Sequence, residues 1–316
     1  MTFAASDVSI VVPTYNRGAI LADTLRRFLA LEPRPAELLV IDQTASHLPE
    51  IATQLDAWAV AGDIRWIRLP KPSIPHAMNE GLRLATRPIV LFLDDDVAPV
   101  PEIVARHAAA YDDANTVAVI GQCLQPGESP QHWRRGEATR DIPDLDFRFN
   151  HDAPEFISNV IAMNLSVVRD RALAIGGFDE NFVFVAYRFE TDFALRLIAA
   201  GGRIRFEPSA RVDHLRLSTG GTRAYGDHRT SPSPAHSAGD YYFALHHSHH
   251  FTSYVLHRLR TNVLTRFHVK HPWTIPAKLI GEARGLILAR QLRREGRRLL
   301  AGNLNRPSTI PRHELP

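Results

Sequence analysis

Three adjacent carboxylates, Asp94-Asp95-Asp96, follow the apolar run Val90-Leu91-Phe92-Leu93 without a break. Like charges this close repel one another, and a cation is the partner that makes such a run useful. Hard divalent cations take oxygen ligands, and Mg2+ is commonly held by one or two carboxylates together with substrate phosphates. Alternate residues of an extended segment face one way, so Asp94 and Asp96 can act on one ligand. The competing role is an acidic turn or a helix N-cap ahead of Pro99–Pro101. Gly220-Gly221-Thr222-Arg223 is a second candidate. Glycine backbone and a guanidinium suit phosphate, but no Gly-Lys-Ser/Thr follows, so it is not a P-loop. The competing role is a plain surface loop. His246-His247-Ser248-His249-His250 has pairs at helical spacing. With no cysteine or carboxylate beside it, a solvated and partly stacked face is the better reading than zinc.

These groups need elements to position them. Val8–Val12, Glu37–Ile41, Ile64–Leu69, Ile89–Leu93 and Thr116–Ile120 read as short buried strands. Helical spacing fills the intervals at Gly18–Leu31, Ile51–Ala61, Pro75–Ala85 and Pro101–Tyr111. Strand–helix alternation with short links predicts a parallel sheet with right-handed crossovers. Ligands of such sheets sit beyond the carboxyl ends of the strands. That rule selects Pro13–Arg17, Asp42–Ser46 and Asp94–Asp96. Gln125–Pro154 reads as a loop excursion, Phe156–Val168 as extended, Glu190–Ala200 as a helix, and Arg203–Glu207 as a strand closed by Pro208. Leu217–Asp240 carries the strongest loop composition, and the chain from Tyr241 onward reads as helical.

The segments Val8–Arg17, Leu39–Asp42, Ala77–Gly81 and Leu93–Asp96 resemble those of inverting glycosyltransferases of family 2, which have the GT-A fold. Gly176-Gly177-Phe178-Asp179-Glu180 and the stretch Phe189–Leu197, followed by Gly201, are similar to two further segments of that family. The resemblance spans roughly residues 7–215, with its motifs in the family's order. It implies an α/β GT-A fold: a Rossmann-like parallel or mixed sheet flanked by helices, with a C-terminal helical extension. Pro13, Thr14, Tyr15 and Arg17 would line the nucleotide pocket and Asp42 would bind the base. Asn79 would lie on the segment closing over the nucleotide. Asp94 would reach the ribose or the metal, Asp95 the donor beside it, and Asp96 the Mg2+ or Mn2+ bridging the donor diphosphate. His214 stands where a histidine often completes the metal shell, or it is a polar strand end. Alignment on Arg196 puts Glu190 at the position of the general base, one methylene longer than the usual aspartate, with Asp192 as its rival. Both acids would also suit a solvated first helical turn. Gln43 and Met78 depart from the family's usual Asp and Arg. Gln131–Arg135 resembles in part a segment of processive synthases, but it departs at the last position and precedes the base helix.

One cysteine, Cys123, excludes a disulfide framework and any multi-cysteine metal centre. No apolar run reaches the roughly 20 residues that span a bilayer, and no signal sequence is evident, so the expectation is a cytoplasmic enzyme. The expected division is a catalytic domain over 1–240, with a nucleotide half near 1–122 and an acceptor half near 123–240, and a basic helical extension over 241–316. From His257 to Pro316 thirteen Lys or Arg face three Glu, against a net charge of +3 for the whole chain. Such a tail could meet an anionic membrane, a second subunit or nucleic acid. Only Phe267 and Trp273 interleave with its basic residues, so nucleic acid is not the expected partner. The resemblance implies a metal-dependent, inverting, single-transfer enzyme. It would use a UDP-, dTDP- or GDP-linked sugar and a glycan or lipid-linked acceptor in cell-surface polysaccharide or glycolipid synthesis. A nucleotidylyltransferase of similar fold is the alternative, but Pro13–Arg17 lacks the glycine-rich basic loop it needs.

Overall fold

The computed structural model describes residues 3–133, 142, 144–215 and 221–300. Its frame is one nine-stranded mixed sheet. Strands β1 (Val8–Thr14), β2 (Glu37–Asp42), β3 (Arg65–Arg68) and β4 (Ile89–Leu93) pair in parallel in the order β3-β2-β1-β4. The crossover helices are α1 (Ala19–Leu29), α2 (Pro49–Ala61) and α3 (Ile74–Leu84). The apolar runs of β1, β2 and β4 are buried on both faces, as a sheet covered by helices on each side requires.

Beyond β4 the parallel expectation gives way to a mixed sheet. Strand β8 (Asn164–Val168) enters antiparallel between β4 and β6 (Thr116–Leu124). The last long strand, β9 (Arg203–His214), runs parallel to β6 and antiparallel to two short strands, β5 (Val97–Pro99) and β7 (Glu155–Ile157). Two expectations are corrected here. Pro208 does not close β9, because the pairing with β6 shifts register between Gly121 and Cys123 and the strand continues to His214. A bulge absorbs the proline that a regular ladder would reject. Val97–Pro99 is a strand rather than part of a turn, and it pairs Val97 with His214.

Helix α4 (Ile103–Ala109) follows β5, α5 (Arg169–Ala174) follows β8, and α6 (Phe189–Ala199) precedes β9. The extension consists of α7 (Ala238–His247), α8 (Phe251–Asn262), α9 (Arg266–Lys270) and α10 (Ile275–Glu295). The core of one sheet face joins β-strand side chains, α6 and α7 in one cluster that includes Phe92, Phe178, Phe193, Tyr242 and Ala289. Phe178 stacks on Phe193 at 4.1 Å and meets Phe92 edge-on at 5.6 Å. No helix among the described residues is long and apolar enough to cross a membrane.

Past α10 the chain returns to the loop after α5. Arg297 Nη1 lies 3.2 Å from Asp179 Oδ2 and 2.7 Å from Asp192 Oδ1, both carboxylates fully buried. The Arg298 N–H donates to Asp179 Oδ1 at 3.0 Å, and the Leu300 N–H to the Gly176 carbonyl at 2.9 Å. Removing one partner of a buried ion pair strands the other in low dielectric, at a cost of about 3–5 kcal/mol. Arg297→Met is therefore expected to lower the unfolding free energy by about that amount, with urea denaturation as the measurement.

Candidate active site

Beyond the carboxyl ends of β1 and β4 lies a cleft of about 280 Å³. Pro13, Thr14, Tyr15 and Arg17 from the β1 loop form one wall, and Asp94, Asp95 and Asp96 from the end of β4 form another. Met78 of α3, Met163 and Gly221 close it, with His214 at the end of β9. The expected donor-side residues thus meet, with the exceptions of Asp42 and Asn79.

The carboxylate cluster is built by two backbone decisions. β4 delivers Asp94–Asp96 at a buried strand end, and β5 then pairs with β9 so that the Leu215 N–H donates to the Asp96 carbonyl at 2.8 Å. That pairing brings His214 Nε2 to 3.3 Å from Asp96 Oδ1. The other ring nitrogen, Nδ1, lies 2.9 Å from Gln125 Oε1 and fixes the ring. Arg17 reaches across from β1, with Nε 3.0 Å from Asp95 Oδ1 and Nη2 3.1 Å from Asp96 Oδ2. Burial, reinforced by Asp95 and Asp96, pushes the Asp94 carboxyl up to about 7. Burial likewise lifts Asp95 to about 6, against the pull of the Arg17 guanidinium. Among the described residues, one guanidinium and one imidazole pair with these carboxylates. Carboxylate oxygens with one imidazole nitrogen are a donor set suited to a divalent cation such as Mg2+ or Mn2+. The residues present fit such an ion.

Gly221 continues the cleft wall. Its N–H donates to the Tyr15 carbonyl at 3.0 Å, its φ is +56°, and a side chain there would begin 3.0 Å from Arg17 Nη2. A glycine is the residue that this approach and this backbone both permit. Gly220, and Arg134 and Arg135 of the processive-like segment, lie outside the described residues.

The two acids of α6 have different surroundings. Glu190 is half-buried in the first turn of α6 and is not among the residues that line the cleft. Burial pushes its carboxyl up to about 7. Asp192 is enclosed by His247 Nε2 at 2.7 Å, Arg196 Nε at 2.8 Å and Arg297. Although burial opposes ionisation, these partners hold it well below the usual carboxylate range. His247 belongs to the histidine run. Its pairing with Asp192 is not visible in sequence, where the run has no nearby carboxylate.

Two expected donor contacts are engaged elsewhere. Asp42 Oδ1 accepts the Thr44 N–H at 2.8 Å, and Oδ2 lies 2.6 Å from His47 Nε2 and 2.9 Å from Trp66 Nε1. Gln43 is the residue of that loop that reaches the cleft. Asn79 faces the loop after α5: its amide donates to the Phe178 carbonyl at 2.8 Å, and its oxygen accepts the Phe178 N–H at 2.8 Å. Away from the cleft, ligand atoms of His132, His151 and Asp152 approach within 4.8 Å of one another. There the Trp133 N–H donates to His151 Nδ1 at 3.1 Å, and His151 Nε2 pairs with Glu155 at 3.4 Å, so both ring nitrogens are engaged.

The glycosyl transferase family 2 model matches residues 9–190. The chain belongs to glycosyltransferase family 2. It is 32% identical over 217 residues to the pre-mycofactocin glycosyltransferase of Mycobacterium tuberculosis, covering 66% of this chain and 42% of that one. With the glucosyl-dolichyl phosphate glucuronosyltransferase of Haloferax volcanii it shares 24% identity over 222 residues, 66% of this chain and 68% of the relative. The chain thus spans less than half the length of the first relative. Among solved structures, it resembles the mannosyltransferase PcManGT of Pyrobaculum calidifontis, in complex with GDP-Man and Mn2+. That match has a TM-score of 0.53 and 15% identity, over 94% of this chain and 81% of that one. GalNAc-T7, solved with UDP, GalNAc and Mn2+, gives a TM-score of 0.51 at 17% identity, over 69% of this chain and 45% of that one. The fold of this family 2 member is therefore GT-A.

Asn79→Ala would leave both backbone groups of Phe178 without their partner inside the core. The expected result is a loss of about 1–3 kcal/mol of stability. Nucleotide affinity of the folded variant should be unchanged, as read by denaturant unfolding alongside calorimetric titration.

Proposed function

We propose that this glycosyltransferase moves one sugar from a nucleoside diphosphate sugar to an acceptor hydroxyl in a single inverting, metal-dependent displacement. The observation that carries this reading is the meeting of Asp94, Asp96, Arg17 and His214 in one cleft with the β1 loop. Further support comes from the solved neighbours, whose complexes hold UDP or GDP-Man together with Mn2+. The donor is a UDP-, dTDP- or GDP-linked sugar, and the acceptor a glycan or a lipid-linked glycan. The catalytic domain is residues 1–240, with the helices from 241 as an extension, and the enzyme works in the cytoplasm.

Thr14 and Tyr15 form the wall against which the nucleotide lies, with Gly221 beside Tyr15. Asp96, with Asp94 and His214, would hold Mg2+ or Mn2+, which supplies Lewis-acid neutralisation of the departing diphosphate when bound. Arg17 adds a fixed positive charge beside the same phosphates. Glu190 is the general base. Alignment with the family puts it at the base position, and a carboxyl near neutrality is matched to accepting a hydroxyl proton. The acceptor oxygen forms a bond to the anomeric carbon as the bond to the diphosphate breaks. The proton passes to Glu190, and the configuration inverts. Asp192, paired three ways, positions α6 and takes no proton.

Asp96→Ala is expected to abolish Mn2+-dependent binding of UDP, dTDP and GDP alike while the protein stays folded. Calorimetric titration of each nucleotide measures this, and undiminished affinity would remove Asp96 from the metal site. Glu190→Gln should keep donor affinity and lose about 10²–10⁴-fold in turnover. In the parent enzyme the rate should rise with pH through about 7 as Glu190 loses its proton, and Glu190→Gln should flatten this limb to the part that Asp94 contributes over the same range. An inactive Asp192→Asn beside a nearly normal Glu190→Gln would move the base to Asp192.

A further inference from the structure

Helix α10 is mounted with its small and charged residues inward. Its buried positions are Lys278, Gly281, Glu282, Gly285 and Ala289. Lys278 Nζ lies 2.7 Å from Glu282 Oε1, and Glu282 Oε2 accepts from Arg258 Nε and from the Tyr241 hydroxyl, each at 2.8 Å. The glycines allow backbone contact, since a Cβ on Gly285 would fall 2.0 Å from Ser237 Oγ and one on Gly281 2.8 Å from the Ser231 carbonyl oxygen. A buried ion-pair network and two glycine contacts fix the helix in this rotation.

The consequence is an outward apolar row. The sequence suggests a stripe of Leu279, Ala283, Leu286, Ala289 and Leu292, of which only Ala289 is fully buried. Ile280, Ala283 and Ile287 follow one another at i, i+3 and i+7, on the side away from Gly281 and Gly285. Ile280 is 47% exposed and Ile287 66%. Continuing the same row at helical spacing come Arg290 and Arg294, both exposed. Trp273, in the turn that leads into α10, is 71% exposed, and Val269 at the end of α9 is 77% exposed. Exposed Arg266 and Lys270 flank Val269.

We infer that the outer face of α10, with Trp273 at one end and Arg290 and Arg294 at the other, docks on an anionic lipid surface. Charge selects this occupant. Among the exposed residues of 251–300 are eight Lys or Arg and one acid, Glu295. A second copy of the chain would bring the same positive field to the same face, whereas an anionic bilayer complements it. Isoleucine side chains enter the acyl boundary, indole sits at headgroup depth, and guanidinium groups meet lipid phosphates. The inference goes beyond the proposed reaction, because docking does not depend on which sugar is moved.

The test is sedimentation of the full chain with vesicles of phosphatidylcholine alone and of phosphatidylcholine with roughly 30% phosphatidylglycerol, at low salt and at about 0.5 M salt. Binding is expected to the anionic vesicles alone and to weaken in high salt. Ile280→Glu with Ile287→Glu, and separately Arg290→Glu with Arg294→Glu, should each weaken it by about tenfold or more. These side chains lie outside the core, so thermal unfolding should be unchanged. Ile280→Ser with Ile287→Ser replaces the first pair if it fails to fold. Lack of binding to anionic vesicles at low salt overturns the inference. So does binding unaffected by either double variant, or a dimer in light scattering that the isoleucine variants dissociate without any vesicle binding.

Discussion

Three carboxylates in a row at the end of a buried strand form the constraint around which this chain is arranged. Their mutual repulsion and their loss of water both favour protonation, and Asp94 and Asp95 are raised accordingly. The fold answers with Arg17 from the first strand's loop and His214 from the last strand of the sheet. Elements separated by almost two hundred residues must therefore meet at one point. The sheet order meets that demand: β1 and β4 are neighbours, and β5 carries the chain directly from the carboxylates onto β9. Mixed pairing beyond β4 is what brings a strand end, rather than a helix, to the acidic cluster.

The parallel half of the sheet is legible because its signal is local. Each strand is a short β-branched run, each helix has its own apolar stripe, and the link between them is too short for anything except a crossover. The donor wall follows from the same logic, since the carboxyl ends of β1 and β4 are where such sheets bind ligands. Strand β5 was not legible. Three residues with two prolines nearby carry no periodicity, and only the partner strand makes Val97–Pro99 extended. The passage of β9 through Pro208 was hidden for a related reason, because a bulge is a property of two strands together.

Polar residues were harder to place than apolar ones. Asp42, Asn79 and Asp192 all have the chemistry that a binding or catalytic role needs. Each is completely buried, and each satisfies its oxygens or amide with partners between 2 and 105 residues away. A buried polar group must find such partners or lose several hydrogen bonds' worth of solvation. Sequence spacing announces the group but not its partner. Glu190 differs because burial raises it without a strong counter-charge, and that burial is a product of tertiary packing.

The Arg297 bridge ties the timing of folding to the direction of synthesis. Asp179 and Asp192 lie in the middle of the chain, beside aromatic side chains of the main core, yet the guanidinium they share is made more than a hundred residues later. While a ribosome is still adding the extension, Asp179 and Asp192 lack this shared guanidinium, although Arg196 already stands beside Asp192. Domains usually settle in the order in which they emerge. In this chain the interior of the catalytic part receives a cation from the segment that follows α10, so a nascent chain that ends before residue 297 leaves two buried acids without the guanidinium they share.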